Sequence, residues 1–211
     1  MTDRYAVIGH PVAHSKSPEI HAAFARETKE SISYERLLAP LDGFFTTVET
    51  FRAGGARGAN VTLPFKVEAF RYANELSERA RQAGAVNTLK FDGERIFGDN
   101  TDGIGLCRDI IHNLRVPLRG ARILLVGAGG AARGVVGPLL AAHPRAISIS
   151  NRTLSKADDV ARRFADLGPV KSIAPAELAT QRFDILINAT SASLDGGVPP
   201  HLVYPSDVPR V

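Results

Sequence analysis

Ile123-Leu124-Leu125-Val126-Gly127-Ala128-Gly129-Gly130-Ala131-Ala132 sets four apolar residues in a row against a glycine turn, then continues into small, helix-compatible residues. The apolar run, Arg122 to Val126, reads as the core of a buried strand, and Gly130 to Ala142 as a helix. From Gly127 the spacing is G-x-G-x-x-A, with a strand before it and a helix after it, which is the context a dinucleotide fingerprint requires. Gly127 permits the tight turn, Gly129 lets the backbone approach a pyrophosphate, and Ala132 keeps the helix close to the sheet. The helix N-terminus adds N–H donors and a partial positive charge for the phosphates.

The next strand, Ala146 to Ser150, decides between the two nicotinamide dinucleotides. The residue that reads the adenosine ribose lies ~20 positions past the glycines, and an acid there favours the free hydroxyl of NAD. Here Asn151, 24 positions after Gly127 (151 − 127), is followed by Arg152, Thr153, Ser155 and Lys156. A guanidinium suits a 2′-phosphate, so the stretch favours NADP; the alternative is a solvated arginine at a strand end. Beyond it, Ser155 to Ala165 reads as a helix, Val170 to Ile173 as a strand, Pro175 to Thr180 as a helical turn and Phe183 to Asn188 as another buried strand. Asn188-Ala189-Thr190-Ser191 then falls at a strand's carboxyl end, placed to meet the cofactor's ribose or nicotinamide, with plain turn chemistry as the alternative.

Upstream the alternation of strands and helices continues. Strands are expected at Tyr5 to Ile8, Ser33 to Leu38, Gly58 to Leu63 and Val86 to Phe91, the last ending in a turn at Asp92-Gly93. Helices are expected at Pro18 to Thr28 with Ser17 as N-cap, Leu41 to Ala53, Lys66 to Asn74, Ser77 to Ala83 and Asp102 to Leu114. Such alternation implies α/β architecture with parallel sheets. Val116 to Gly120 resembles an inter-domain linker. Three polar clusters follow predicted strands: His14-Ser15-Lys16-Ser17-Pro18, then Asn60-Val61-Thr62-Leu63-Pro64-Phe65-Lys66, then Ala85-Val86-Asn87-Thr88 with Asp99-Asn100-Thr101-Asp102-Gly103. Hydroxyls, carboxamides, a lysine and an aspartate together suit a small polyhydroxylated acid and a proton transfer. Any one cluster alone would be capping or turn chemistry.

Taken in order, S-K-S-P, N-V-T-x-P-F-K, A-V-N-T, D-N-T-D-G, G-A-G-G-A-x-R, N-R-T and N-A-T-S resemble the shikimate dehydrogenase family, from about residue 5 to about residue 191. The resemblance implies a substrate-binding α/β domain over residues 1–103 and a Rossmann-like, parallel-sheet NADP-binding domain over residues 104–211, incomplete at its C-terminus. It implies reversible reduction of 3-dehydroshikimate to shikimate with NADPH, within chorismate and aromatic amino-acid biosynthesis. By the same resemblance, Ser15 and Ser17 bind the substrate carboxylate, and Thr62, Asn87 and Asp102 the ring hydroxyls. Lys66 is the catalytic lysine, working beside Asp102. Gly127, Ala128, Gly129, Gly130 and Ala131 line the pyrophosphate, Asn151, Arg152, Thr153 and Lys156 surround the phosphorylated ribose, and Ala189 and Thr190 complete the cofactor site.

The pattern stops short at the far end. The family continues past residue 211 with a tyrosine-aspartate strand and C-terminal helices that carry a substrate-binding glutamine. The proline-crowded stretch from residue 192 onward is expected to be irregular, and the shortened chain less stable. Competing readings are a quinate/shikimate dehydrogenase accepting NAD, against which N-R-T-x-x-K argues, and a non-catalytic nucleotide-binding remnant.

Composition narrows the class further. The 211 residues are 44% hydrophobic and 23% charged, an ordinary globular balance, with a net charge of +4 spread along the chain rather than gathered as a nucleic-acid binder would have it. No apolar run is long enough to span a bilayer, and the N-terminus lacks the apolar stretch of a signal peptide, so a cytoplasmic monomer or homodimer is expected. The single cysteine, Cys107, cannot form an intrachain disulfide and reads as a small buried hydrophobe. His10, His14 and His21 fit no ligand spacing, so no metal is expected. Phe44, Phe45 and Phe51 read as core, and Arg79, Arg81, Arg162 and Arg163 as solvated helix faces.

Overall fold

The computed structural model describes residues 2–190, and the chain divides between Asn100 and Thr101 into two compact units. The first unit runs β1 (Asp3–Gly9), α1 (Ser17–Thr28), β2 (Ile32–Leu38), α2 (Phe44–Ala53), β3 (Ala56–Val61), α3 (Lys66–Tyr72), β4 (Glu75–Leu76), α4 (Glu78–Ala83), β5 (Thr88–Asp92) and β6 (Arg95–Asp99). Its six described strands lie in the order β2-β1-β3-β5-β6-β4. The first three are parallel, but β5 runs antiparallel to both β3 and β6. The sheet is therefore mixed, not parallel throughout as the alternation suggested. The cause is local. Asp92 pairs with Arg95 across a two-residue turn in which Gly93 takes φ +59°, the left-handed geometry of a tight hairpin. Sequence reasoning recognised that turn but not the strand beyond it, because Arg95-Ile96-Phe97-Gly98-Asp99 offers only two large apolar residues.

The first core packs Ile8, Phe44, Val48, Phe65 and Leu89 against α2, α3 and α4. Phe44 and Phe51 are buried as expected, whereas Phe45 is 46% exposed. Arg79 also departs from expectation. Its guanidinium pairs with Asp99, whose carboxylate also accepts from the Ser77 hydroxyl at 2.5 Å and the Asn100 N–H at 2.7 Å, so it clamps α4 to β6 while its side chain stays 38% exposed. At α1 the helix begins one residue earlier than expected: Lys16 is the N-cap and Ser17 the first helical residue, without a side-chain cap.

The second unit runs α5 (Asp102–Arg108), a π turn over Asp109–Asn113, β7 (Arg122–Val126), α6 (Gly130–Ala141), β8 (Ala146–Ser150), α7 (Leu154–Phe164), β9 (Val170–Ser172) and β10 (Ile185–Asn188). Its four described strands are all parallel, in the order β10-β7-β8-β9. β7 lies inside this sheet, with Ile123 and Leu125 packed into one core and Leu124 and Val126 into the other, which is why its sequence is apolar without alternation. The stretch read as a linker lies inside this unit: Leu118 is buried in its core and Val116 packs against it. Cys107 is buried there too, and burial pushes its thiol up to about 11, a hydrophobe rather than a nucleophile.

Candidate active site

In the first unit, strand register brings the three polar clusters to one end of the sheet. β1 and β3 are parallel, so Gly9 and Val61 finish side by side, and the chains that leave them stay linked: Thr62 N–H donates to Ile8 O at 2.9 Å and His10 N–H to Leu63 O at 2.9 Å. Because β5 is antiparallel to β3, its first residue lies at this same end. Thr88 pairs with Asn60 on one side and with Asp99 on the other. Asn87, just before it, receives the Val61 N–H on its carbonyl at 2.8 Å and gives its own N–H to Asp99 O at 2.9 Å. Lys66 opens α3, and its carbonyl accepts the Val86 N–H at 2.8 Å. Thr62, Lys66 and Asn87 are thus fixed to one another through the main chain, with Asn87 buried and the other two half-buried.

The loop after β1 brings Ser15 and Ser17 to the same region. Ser15 Oγ–H donates to Ser17 Oγ at 3.1 Å, and Arg36 on β2 holds the loop by donating to Ser15 O at 2.8 Å while gripping both oxygens of Glu19. Three residues that sequence reasoning left without a role tie the cluster together. Tyr34 O–H donates to Asn60 Oδ1 at 2.6 Å, and Thr88 O–H donates to Asn87 Oδ1 at 2.9 Å. Burial pushes the Tyr34 phenol up to about 12, a hydrogen bond from Ser17 opposing the shift, so it stays protonated. The alternation of β2 marks Tyr34 as inward-facing, but nothing in the spacing says which strand it reaches.

Asp102 belongs to the second unit, as the first residue of α5. Gly103 follows because α5 packs tightly on α6: a Cβ there would lie 2.5 Å from Gly134 O.

The glycine turn is built as the fingerprint demands. Gly127 has φ +111°, and an added Cβ would lie 2.9 Å from Ala189 O, so both conformation and space exclude a side chain. That contact seats the turn after β10 against the glycine turn, with Ala189 N–H donating to Val126 O at 2.8 Å. Within that later turn Asn188 Oδ1 accepts from the Thr190 N–H and hydroxyl at 3.0 and 2.8 Å, so the turn chemistry weighed for this stretch is present. Beside Gly129, the N-cap of α6, no described atom lies within 4 Å of the Cβ position, which leaves room for a ligand against the backbone. Ala132 is fully buried, and the first turn of α6 holds no acid. At the end of β8, Asn151 donates to Thr153 O at 2.9 Å and so shapes the turn into α7. Arg152, Thr153 and Lys156 are exposed, and among the described residues no carboxylate pairs with either cation. An open helix N-terminus beside a bare glycine, flanked by these two cations, fits a dinucleotide carrying an extra phosphate.

Among the described residues no three His, Cys, Asp or Glu side chains group to hold a metal ion, and no helix is long and apolar enough to cross a membrane. His10 meets Ala39 O through Nδ1 at 2.8 Å, and His21 packs on Tyr34 with the ring planes tilted by 42° and the centroids 4.1 Å apart.

Comparison with known proteins accounts for both units. The shikimate dehydrogenase substrate binding domain model matches residues 7–89, and the shikimate / quinate 5-dehydrogenase model matches residues 109–195. A shikimate dehydrogenase (NADP(+)) of Nitrosospira multiformis is 59% identical over 200 residues, covering 95% of this chain and 73% of that protein. The crystal structure of shikimate dehydrogenase from Aquifex aeolicus superposes with a TM-score of 0.85 at 31% identity, over 96% of this chain and 74% of the other. That of shikimate 5-dehydrogenase from Thermus thermophilus, in complex with NADP(H) and shikimate, gives 0.78 at 34% identity, over 90% and 69%. With both domain models matched in sequence order and relatives this similar across nearly its whole length, the chain belongs to the shikimate dehydrogenase family.

Proposed function

We propose that this chain catalyses the reversible, NADPH-dependent reduction of 3-dehydroshikimate to shikimate, a step of chorismate and aromatic amino-acid biosynthesis. The observation that carries the reading is the gathering of one lysine, three hydroxyl residues and a carboxamide at a single sheet end, in a chain whose second unit keeps an open glycine turn and a basic strand end. A relative bearing both NADP(H) and shikimate supports it. NADPH, when bound, supplies the hydride that converts the substrate's ketone carbon to an alcohol carbon, and NADP+ takes it back in reverse.

The chain's own residues do the rest. The Lys66 ammonium stabilises the charge that builds on the ketone oxygen, gives that oxygen a proton during reduction and recovers it during oxidation. Ser15 and Ser17 donate to the substrate carboxylate, and Thr62, Asn87 and Asp102 hold ring hydroxyls, so that the ring is oriented before the reaction. Gly127, Ala128, Gly129, Gly130 and Ala131 bind the pyrophosphate with main-chain N–H groups. Asn151, Arg152, Thr153 and Lys156 bind the phosphorylated ribose, and Ala189 and Thr190 border the nicotinamide side. In this reading residues 1–103 serve the substrate and residues 104–211 the cofactor. A rate comparison tests it. Turnover of shikimate with NADP+ should exceed that of quinate with NAD+ by at least about tenfold, the effect of one charge-assisted phosphate contact. Faster turnover of quinate with NAD+ would reverse the assignment, and cofactor binding without any turnover would replace the enzyme with a nucleotide-binding protein.

A further inference from the structure

We propose that Tyr34 is a positioning residue, orienting the Asn87 carboxamide through one directional chain of hydrogen bonds that passes by way of Asn60 and Thr88. The proposal rests on the assignment of Asn87 to the substrate made above, and it adds a part to that site.

The geometry begins with reach. Tyr34 lies on β2 and Asn60 on β3, with β1 between them. Neighbouring strands stand ~4.8 Å apart, so the two backbones are separated by about twice that. A phenol spans the gap, and its O–H meets Asn60 Oδ1 at 2.6 Å. The ring packs against the His21 ring of α1, with the planes tilted by 42° and the centroids 4.1 Å apart.

The direction of the chain follows from one group that can only accept. The Asn87 carbonyl takes the Val61 N–H at 2.8 Å and faces the Asn60 carboxamide at 3.4 Å. Two oxygens there would repel, so Asn60 turns its Nδ2 toward that carbonyl and toward Thr88 Oγ1 at 3.3 Å. Asn60 Oδ1 must then face Tyr34, whose only proton is committed to it. On the far side Thr88 O–H donates to Asn87 Oδ1 at 2.9 Å. Donors therefore run one way: Tyr34, Asn60, Thr88, Asn87. The chain fixes which face of the Asn87 carboxamide is turned to Thr88. Removing the phenolic hydroxyl cuts it at its start, leaving Asn60 Oδ1 without its donor.

The test is a double-mutant cycle, with shikimate oxidation by NADP+ as the assay. Tyr34→Phe should raise KM for shikimate about 3- to 10-fold, the effect of one net hydrogen bond, with a smaller change in kcat and none in KM for NADP+. Tyr34→Phe and Thr88→Val should be non-additive in their effects on that KM, a coupling that a merely structural tyrosine would not carry. Additivity, or an unchanged KM in Tyr34→Phe, overturns the proposal. A second measurement needs no turnover. The side-chain amide signals of Asn87 in the nuclear magnetic resonance spectrum should shift in Tyr34→Phe, although Tyr34 does not touch Asn87, and unshifted signals also overturn the proposal. A wild-type protein without shikimate turnover defeats the functional reading instead, and the amide signals then decide the chain by themselves. Should Tyr34→Phe fail to fold, Thr88→Val cuts the same chain, and the shift is read at Asn60.

Discussion

At the glycine turn the second unit offers backbone: an open helix N-terminus, bare space beside Gly129, and cations that no described carboxylate engages. At the end of β1 and β3 the first unit offers side chains already committed to one another, Ser15 to Ser17, and Tyr34 through Asn60 and Thr88 to Asn87. The difference suits what each end is proposed to hold. A pyrophosphate is a diffuse anion that main-chain N–H groups and a helix dipole can bind without much precision. A polyhydroxylated ring must be set in one orientation before a hydride can reach one carbon, and that needs side chains whose own rotors are fixed. Substitutions around the glycine turn and the end of β8 should therefore act mainly on cofactor affinity, and those at the first unit's sheet end on turnover and substrate affinity.

The largest effect is expected at Lys66. Lys66→Ala should lower kcat by about 10²- to 10⁴-fold, the range for loss of a general acid–base group, while a titration with NADP+ shows nearly unchanged affinity. A kcat near that of the wild type would remove Lys66 from the mechanism and leave the side-chain end of the molecule with binding alone.

Arg152→Ala comes next and probes the other end. A guanidinium–phosphate contact contributes ~1.5–3 kcal/mol, so KM for NADPH should rise about 10- to 100-fold while KM for NADH barely moves. Equal losses for the two cofactors would mean that Arg152 does not meet the extra phosphate.

How much of this was legible in the sequence follows the same division. The glycine turn, its flanking strand and helix, and the basic end of β8 lie close together in the chain, and each is dictated by local chemistry, so spacing alone located them. β8 was bounded to the residue, Ala146 to Ser150. The first unit's site depends on pairings between residues 26 to 29 positions apart, such as Tyr34 with Asn60 and His10 with Ala39, and no local pattern encodes those. The same holds for β6, which is too polar to announce itself and is held by its hairpin partner. Arg79 looks like any exposed helix arginine until β6 is known, because its partner Asp99 stands at the end of that strand. Val116 to Gly120 had a linker's composition, yet Leu118 is needed by the second core.

Arg79 carries the third expectation. Burial alone would raise the Asp99 carboxyl, but hydrogen bonds from Arg79, Ser77 and the Asn100 N–H, with the Arg79 charge, outweigh it and hold the group below the usual carboxylate range. A carboxylate stabilised in the folded state contributes stability above its unfolded pKa of ~3.9, and that stability is lost as pH falls through the lowered folded value. Arg79→Ala should therefore cost ~1–2 kcal/mol at neutral pH, because a largely buried carboxylate loses its main partner, and the cost should shrink in acid. Urea midpoints measured at neutral pH and near pH 3 check this; an equal loss at both would assign the effect to lost packing of the arginine stem.

The smallest effect is expected at Asp184, which bridges the starts of β7 and β10. Its carboxylate accepts from the Arg122 N–H at 2.7 Å and from the guanidinium at 3.0 and 2.7 Å, and these bonds hold it down to about 2. The geometry rivals that of Arg79 and Asp99, yet the outcome should differ, because the Asp184 side chain is 43% exposed where that of Asp99 is 13% exposed. Water competes for the exposed pair and salt screens it, so Asp184→Asn should cost less than about 1 kcal/mol, and the loss should fade in molar salt. Its contribution is present above about pH 4 and is lost as pH falls toward 2, the same sign as for Asp99. If Asp184→Asn were instead as damaging as Arg79→Ala and indifferent to salt, exposure would not be what separates the two clamps. The main-chain bond to Arg122, which fastens β10 beside β7 and so supports the turn that seats Gly127, would then be the stronger part of the interaction.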